Sequence, residues 1–155
     1  MNEKTTKKLI SKSKACYTIS AISMLVALIL ETLPFSAAMV FATSPTERAV
    51  YTFSYFDIIF IGYGDFAPMV TGVLSAVATL LMAISLFRFD NAKKSRKAAF
   101  VCSLLAVIPS IAPLFMFGKL GMTTISYIVS AALVCSVCFQ SVANRSTQYT
   151  KATLR

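Results

Sequence analysis

The sequence predicts an all-α membrane protein, a polytopic bundle of four transmembrane helices with a short additional helix on the outer side. Hydrophobic residues make up 57% of the chain and charged residues only 14%. A soluble domain typically has about 45–50% apolar and about 25% charged residues. The mean hydropathy is +0.73. We therefore expect the lipid bilayer to be the principal environment of this chain.

Four apolar runs carry this prediction. A spanning helix needs about 20 apolar residues, so each run is long enough to cross once and too short to cross twice. The predicted spans are TM1 at 16–41, TM2 at 67–87, TM3 at 98–117 and TM4 at 121–143. Together they form a transmembrane domain over residues 15–143. A basic N-terminus, 1–14, and a basic tail, 144–155, flank it.

The distribution of positive charge predicts the orientation. Of the 15 lysines and arginines, all but Arg48 and Lys119 lie in the N-terminus, the TM2–TM3 loop or the tail. Cytoplasmic loops carry such an excess, so both ends are expected in the cytoplasm and the protein in the plasma membrane. Anionic lipids of the inner leaflet would attract each of these side chains by about 1 kcal/mol. A nucleic-acid-binding protein would instead gather them on one folded face, so no nucleic-acid partner is expected.

A cleaved signal peptide is the main alternative for TM1. Ser36, Ala37 and Ala38 have the small side chains of a cleavage site, and a basic N-terminus precedes the apolar run. Cleavage would leave three spans and an N-terminus outside. The apolar run continues to Ala42, however, which is long for a signal peptide. We expect the chain to keep its first 38 residues.

The segment between TM1 and TM2 predicts a short outer helix at 45–58. Ser44 suits an N-cap, Pro45 the first helical position, and Glu47 completes a capping box. The stretch that follows is apolar, rich in aromatic residues and too short to span, as in re-entrant or interfacial segments. Two glycines then break the helix before Asp65, which is placed to cap TM2.

The run Gly62-Tyr63-Gly64-Asp65 resembles the selectivity-filter signature of potassium channels. In that family the glycines let backbone carbonyls point at one axis and replace the ion's water. The resemblance implies an ion path at these four residues, built from several copies of the chain. The family has a threonine two positions before the first filter glycine, where this chain has Phe60. That departure favours a glycine turn over a filter.

A second resemblance covers the same region. Ser54-Tyr55-Phe56, Gly62-Tyr63 and the later Phe66-x-Pro68 are similar to a pattern in small four-span proteins of unknown function from clostridia and related Gram-positive bacteria. This resemblance implies the four-span fold. It brings no activity with it.

Glu31 is the only acidic residue inside a predicted span. A carboxylate in the bilayer is costly and often marks a proton, ion or ligand path. The alternative is a protonated or outward-reaching glutamate near the outer interface, paired with Arg48. Nearby Pro34 would free backbone carbonyls that need partners inside the protein. Both interpretations of Glu31 remain open at this point.

The residue types in this chain do not predict a catalytic site, a metal site or a cofactor site. The chain has no histidine, and Cys135 and Cys138 lack two further ligands at the spacing of a structural zinc site. No nucleophile and base are placed together.

Small residues at helical spacing on TM2 (Gly72, Ala76, Thr79, Ala83) and TM4 (Ser126, Ser130) predict close packing. That packing occurs within the chain, in a homo-oligomer or against a membrane-protein partner.

These observations predict a non-catalytic integral membrane protein. Its role is that of an accessory subunit, a small-solute carrier or an interaction subunit. The alternative is an oligomeric, potassium-channel-like pore that uses the loop from Gly62 to Asp65.

Overall fold

The computed structural model describes residues 3–42, 48–57, 65–87 and 92–153. In these ranges the chain forms four long helices and one hairpin. They are α1 (Glu3–Glu31), β1 (Ala37–Ala42), β2 (Arg48–Phe53), α2 (Ala67–Phe87), α3 (Lys93–Phe117) and α4 (Thr124–Thr153), with a 3-10 helix (Gly118–Gly121) between α3 and α4.

Each helix contains an apolar stretch long enough to cross a membrane. The stretches are Ser11–Glu31, Ala67–Phe87, Lys93–Gly121 and Thr124–Arg145. The shortest have 21 residues. At about 1.5 Å per residue they cover about 31 Å, the thickness of the hydrocarbon core. The prediction of a four-span helical membrane protein is confirmed.

The four helices form an antiparallel bundle in which α1 packs most extensively against α4, and α2 against α3. Serine hydroxyls of α1 donate to main-chain carbonyls of α4 and fix the register of that pair. The bonds are Ser13 to Ala143 at 2.9 Å, Ser20 to Ser136 at 2.8 Å and Ser23 to Ala132 at 2.9 Å. Residue numbers rise along α1 as they fall along α4, so the two helices run in opposite directions.

Buried positions recur in steps of three and four on every helix. They are Ser13, Tyr17, Ser20, Met24, Ala27 and Glu31 on α1; Pro68, Thr71, Ser75, Ala78, Met82 and Ser85 on α2; Arg96, Ala99, Ser103, Ala106, Ser110 and Pro113 on α3; and Ser126, Val129, Leu133, Ser136, Gln140 and Ala143 on α4. This is the heptad spacing of left-handed coiled coils and four-helix bundles. Gly72 is buried beside the α2 stripe.

The bundle carries small and polar side chains inside and large apolar side chains outside. Ala78 and Ala106 are fully buried, whereas Leu80 is 63% and Ile108 66% exposed. In a membrane, small residues let helices approach closely and large apolar ones face lipid. Of the small residues noted on TM2, Gly72 is buried within the chain, and Ala76, Thr79 and Ala83 are half-buried. On TM4, Ser126 is buried and Ser130 half-buried.

The predicted TM1 extends too far outward, since α1 ends at Glu31 and not at residue 41. A turn follows, in which the amides of Thr32, Leu33 and Ser36 donate to carbonyls three residues back. Pro34 sits in this turn and has no amide hydrogen to continue the helix. The apolar run to Ala42 continues as strand β1. At its other end, α1 begins at Glu3 instead of residue 16.

The outer helix predicted at 45–58 is wrong for residues 48–53, which form strand β2 antiparallel to β1. The register runs from Ala37 opposite Phe53 to Ala42 opposite Arg48. β-Branched and aromatic residues in this stretch favour a strand. Tyr51 also packs edge-on against Phe41 of β1, with ring centroids 5.7 Å apart. The proposed capping residues, 44–47, lie outside the described residues.

The other spans begin and end close to the predicted positions. α2 covers residues 67–87 as predicted, and Asp65 caps it, since the amide of Ala67 donates to Asp65 Oδ1 at 2.9 Å. α3 begins five residues before the predicted 98, and α4 continues beyond 143 to Thr153. The turn between them requires Gly121, because a Cβ there would lie 2.6 Å from the carbonyl oxygen of Pro113.

The packing predicts opposite outcomes for two neighbouring substitutions. Ala78→Leu should destabilise the protein by about 1–3 kcal/mol, because it overfills a closely packed interior. Val77→Leu is the control, since Val77 is 42% exposed on the lipid-facing side. Thermal unfolding in detergent should show a lower midpoint for the first variant only. Equal midpoints would contradict the assignment of interior and lipid-facing sides.

Candidate functional site

The carboxyl group of Glu31 lies inside the bundle at the outer end of α1. Its side chain is fully buried, and its Oε2 is hydrogen-bonded to the hydroxyl of Ser75 on α2. The same hydroxyl lies 2.9 Å from the carbonyl oxygen of Gly72. A serine has one hydrogen to donate. Both contacts are therefore hydrogen bonds when Glu31 is protonated and donates to Ser75, which donates to Gly72.

The second carboxyl oxygen of Glu31, Oε1, is buried and has no hydrogen-bond partner among the described residues. A buried acceptor without a donor costs about 1–3 kcal/mol, and a buried ionised carboxylate without a partner costs far more. The neutral acid is the form that this surrounding accommodates. It leaves one acceptor inside the bundle available to a donor.

The main-chain carbonyl of Glu31 anchors the outer segment. It accepts three hydrogen bonds: from Ser36 Oγ at 3.1 Å, Ser54 Oγ at 3.0 Å and the amide of Tyr55 at 3.1 Å. The last carbonyls of a helix have no partner within the helix. Here residues on both sides of the hairpin supply the donors. The hairpin is thereby fastened to the residue whose side chain enters the bundle.

The hairpin is also fastened to the start of α4. The carbonyl of Ser36 accepts hydrogen bonds from Thr123 Oγ1 at 2.8 Å and from Ser126 Oγ at 2.6 Å. Those hydroxyls also form a reciprocal N-cap, in which the amide of each residue donates to the hydroxyl of the other, at 3.0 and 3.3 Å. The cap of α4 and the turn after α1 therefore depend on the same two side chains.

Tyr55 connects the segment after β2 to three helices. It is 3% exposed, its amide binds Glu31, and its phenol hydrogen-bonds to Ser126. It passes close to α2, where a Cβ on Gly72 would lie 3.2 Å from the Cβ of Tyr55. Burial raises the pKa of Tyr55 to about 12, so the phenol keeps its proton at neutral pH. We refer to Ser54–Asp57 as the outer cover of the Glu31 site.

A second polar cluster lies farther from the hairpin, around Gln140 of α4, which is fully buried. Its Nε2 lies 3.0 Å from Ser103 Oγ of α3, 3.4 Å from Ser136 Oγ and 3.9 Å from Met82 Sδ of α2. Ser136 also bonds reciprocally with Ser20 of α1. All four helices thus contribute to this cluster. The amide oxygen of Gln140 has no partner among the described residues.

A third polar group lies at the opposite end of the bundle from Glu31. The guanidinium of Arg96 is stacked on the ring of Tyr17, with 5.9 Å from Cζ to the ring centroid, and Arg96 is 7% exposed. Each helix contributes one fully buried apolar residue at a level between the Glu31 site and the Gln140 cluster: Ala27, Ala78, Ala106 and Val129, which we call the apolar layer. The bundle therefore holds polar groups at three levels.

The predicted site residues are only partly placed. Glu31 is buried as one interpretation expected, and Asp65 caps α2. Gly62, Tyr63 and Gly64 lie outside the described residues. The expected pairing of Glu31 with Arg48 gains no support. The residues that bind the Glu31 carbonyl directly follow Phe53, and the backbone of Arg48 lies five residues from Phe53, at the other end of β2. That separation is about 17 Å.

Sequence reasoning missed Ser75 and Tyr55 of the Glu31 site, and Gln140 of the second polar cluster. Ser75 and Gln140 occupy the buried stripes that recur in steps of three and four. That spacing was present in the sequence, and small and polar residues sharing it would have identified them. Nothing comparable marks Tyr55, which reaches the site through the fold of the hairpin.

Comparison of the chain with protein-family models, curated proteins and solved structures found no match. Among the described residues, no group of three or more histidines, cysteines or acids is placed to hold a metal ion. Functional inference therefore depends on the geometry around Glu31.

The hydrogen bond that a protonated Glu31 donates to Ser75 predicts the behaviour of two variants. Glu31→Gln should express and fold like the parent, because its amide can donate to Ser75 in place of the protonated acid. Glu31→Leu is the contrasting variant, since it removes that donor and should lower the unfolding midpoint. Size-exclusion profiles and thermal unfolding in detergent measure both. Loss of folded Glu31→Gln protein would show that the native site requires an ionised carboxylate.

Proposed function

We propose that this multi-pass membrane protein is a non-catalytic carrier of a small cationic solute, and that Glu31 binds a proton and the solute in turn. The observation that supports the proposal most is the fully buried carboxyl group inside a four-helix bundle, with one oxygen on Ser75 and the other without a described partner. We further propose that both ends face the cytoplasm, on the strength of the charge distribution.

The chemistry of a buried carboxyl group suits such an exchange. In the closed bundle the group is compatible with its surroundings only when its charge is neutralised, either by a proton or by a bound cation. Access of water would favour ionisation, which releases the proton and leaves a carboxylate to attract a cation. Because both loaded forms are neutral at this position, either one can be enclosed again.

The outer cover provides a route for access from outside. Ser54 and Tyr55 hold this segment on the carbonyl of Glu31, and Tyr55 binds Ser126. Breaking this small set of bonds would uncover the carboxyl group while the helices remain packed. An inward opening would separate helices along the buried stripes, where small side chains let them lie close together.

The test uses purified protein in liposomes that enclose a pH-sensitive dye. An inward gradient of tetramethylammonium or of sodium should drive protons out through the parent protein. Glu31→Gln should abolish this flux, and Glu31→Asp should retain part of it, because a shortened side chain still carries the exchangeable proton. Glu3→Gln is the matched control, because Glu3 precedes the apolar stretch Ser11–Glu31.

Two outcomes would contradict the carrier. One is a cation-driven proton flux that Glu31→Gln leaves unchanged. The other is potassium-selective flux without proton movement that Gly64→Ala abolishes, which would favour the pore instead.

A further inference from the structure

The hydrogen atoms around Gln140 are all committed to other acceptors. The hydroxyl of Ser103 donates to the carbonyl of Ala99 at 2.8 Å. The hydroxyls of Ser20 and Ser136 each donate to the main-chain carbonyl of the other residue, at 2.8 and 3.1 Å. The hydroxyls of Ser103 and Ser136 can therefore accept hydrogen bonds from Gln140 Nε2, but they have no hydrogen left to donate to Gln140 Oε1.

The orientation of the Gln140 amide follows from the same hydroxyl hydrogens being already donated to carbonyls. Exchanging its oxygen and nitrogen would place the oxygen against hydroxyls whose hydrogens are already used. An amide can donate two hydrogen bonds, and Nε2 has Ser103 and Ser136 as acceptors in the present orientation. The group that completes this cluster is therefore a hydrogen-bond donor facing Oε1.

We propose that the Gln140 cluster is an internal binding site for a water molecule, which donates a hydrogen bond to Gln140 Oε1. Water fits the requirement because it is neutral, small and carries two hydrogens. Buried waters in proteins typically bind to polar groups that are otherwise unsatisfied. Ser103 Oγ, which accepts one bond and donates another, retains a lone pair that can accept the second hydrogen.

The position of this site gives it a role in the carrier, a step that rests on the proposed function. It lies on the cytoplasmic side of the apolar layer, between Glu31 and the inner pair of Tyr17 and Arg96. A water held there gives a proton released from Glu31 a polar position on its way inward. Without this water, the polar groups on the path would be the hydroxyls of Ser103 and Ser136, whose hydrogens are already donated to main-chain carbonyls.

Hydroxyl-radical footprinting tests the water site directly. Radiolysis of an internal water oxidises the side chains beside it, and methionine is converted to its sulfoxide. Met82 Sδ lies 3.9 Å from Gln140 Nε2. Met24 is the internal control. Both methionines belong to the apolar core, with exposed fractions of 0% for Met24 and 1% for Met82, and of the two Met82 is the one described in contact with Gln140. In intact protein, Met82 should be oxidised several-fold faster than Met24.

Two variants separate the site from general access of water. Gln140→Leu removes the acceptor and should reduce the rate at Met82 to that of Met24. Gln140→Glu keeps an acceptor and should preserve the faster rate. Equal rates at Met82 and Met24 in the parent protein would overturn the proposal, whether or not Gln140→Leu folds. A fast Met82 that Gln140→Leu leaves unchanged would overturn it as well.

The footprinting result is independent of transport. Fast oxidation of Met82 in a protein that moves no cation would leave the water site standing and remove the carrier. Cation-driven proton flux in a protein whose Met82 is oxidised no faster than Met24 would support the carrier and remove the water site.

Discussion

The carboxyl group of Glu31 has to be enclosed in a low-dielectric bundle, and the surrounding structure is arranged to make that possible. The hydroxyl of Ser75 contacts both Glu31 Oε2 and the carbonyl oxygen of Gly72. Because a serine has one hydrogen to donate, both contacts are hydrogen bonds when a protonated Glu31 donates to Ser75 and Ser75 donates to Gly72, and the side chain then enters the interior without a charge. The main-chain carbonyl of the same residue receives three donors from the outer segment. One residue therefore ends α1, fixes α1 against α2 and anchors the hairpin.

The heptad arrangement of small residues explains why this site can exist between the helices. Steps of three and four on all four helices give a narrow interior, filled mainly by alanine, serine and a few larger side chains. In lipid, the hydrophobic effect does not separate core from surface, because both environments are apolar. Close packing and hydrogen bonds between helices must hold the bundle together. Serine hydroxyls of α1 bonded to α4 carbonyls supply such contacts along the whole pair.

The sequence allowed the spans to be predicted where hydropathy and helix length coincide, as in α2. The predicted end of TM1 was wrong, because the apolar run to Ala42 contains the end of a helix and a strand, and hydropathy does not distinguish the two. The signals for an outer helix were local, whereas the hairpin depends on pairing Ala37 with Phe53, a contact between distant residues. Glu31 was identifiable as the only acid in a span. The pairing of Glu31 with Ser75 was not identifiable, because the two residues lie 44 positions apart in the chain.

The central claim is that Glu31 is a neutral carboxylic acid in the closed bundle. Isotope-edited infrared spectroscopy tests it most directly, with glutamate labelled at the side-chain carboxyl carbon and the protein held in lipid at neutral pH. Our account predicts a carbonyl stretching band of a protonated carboxylic acid that is present in the parent protein and absent from Glu31→Gln. A parent spectrum that contains only carboxylate bands, with Glu31→Gln removing one of them, would contradict it.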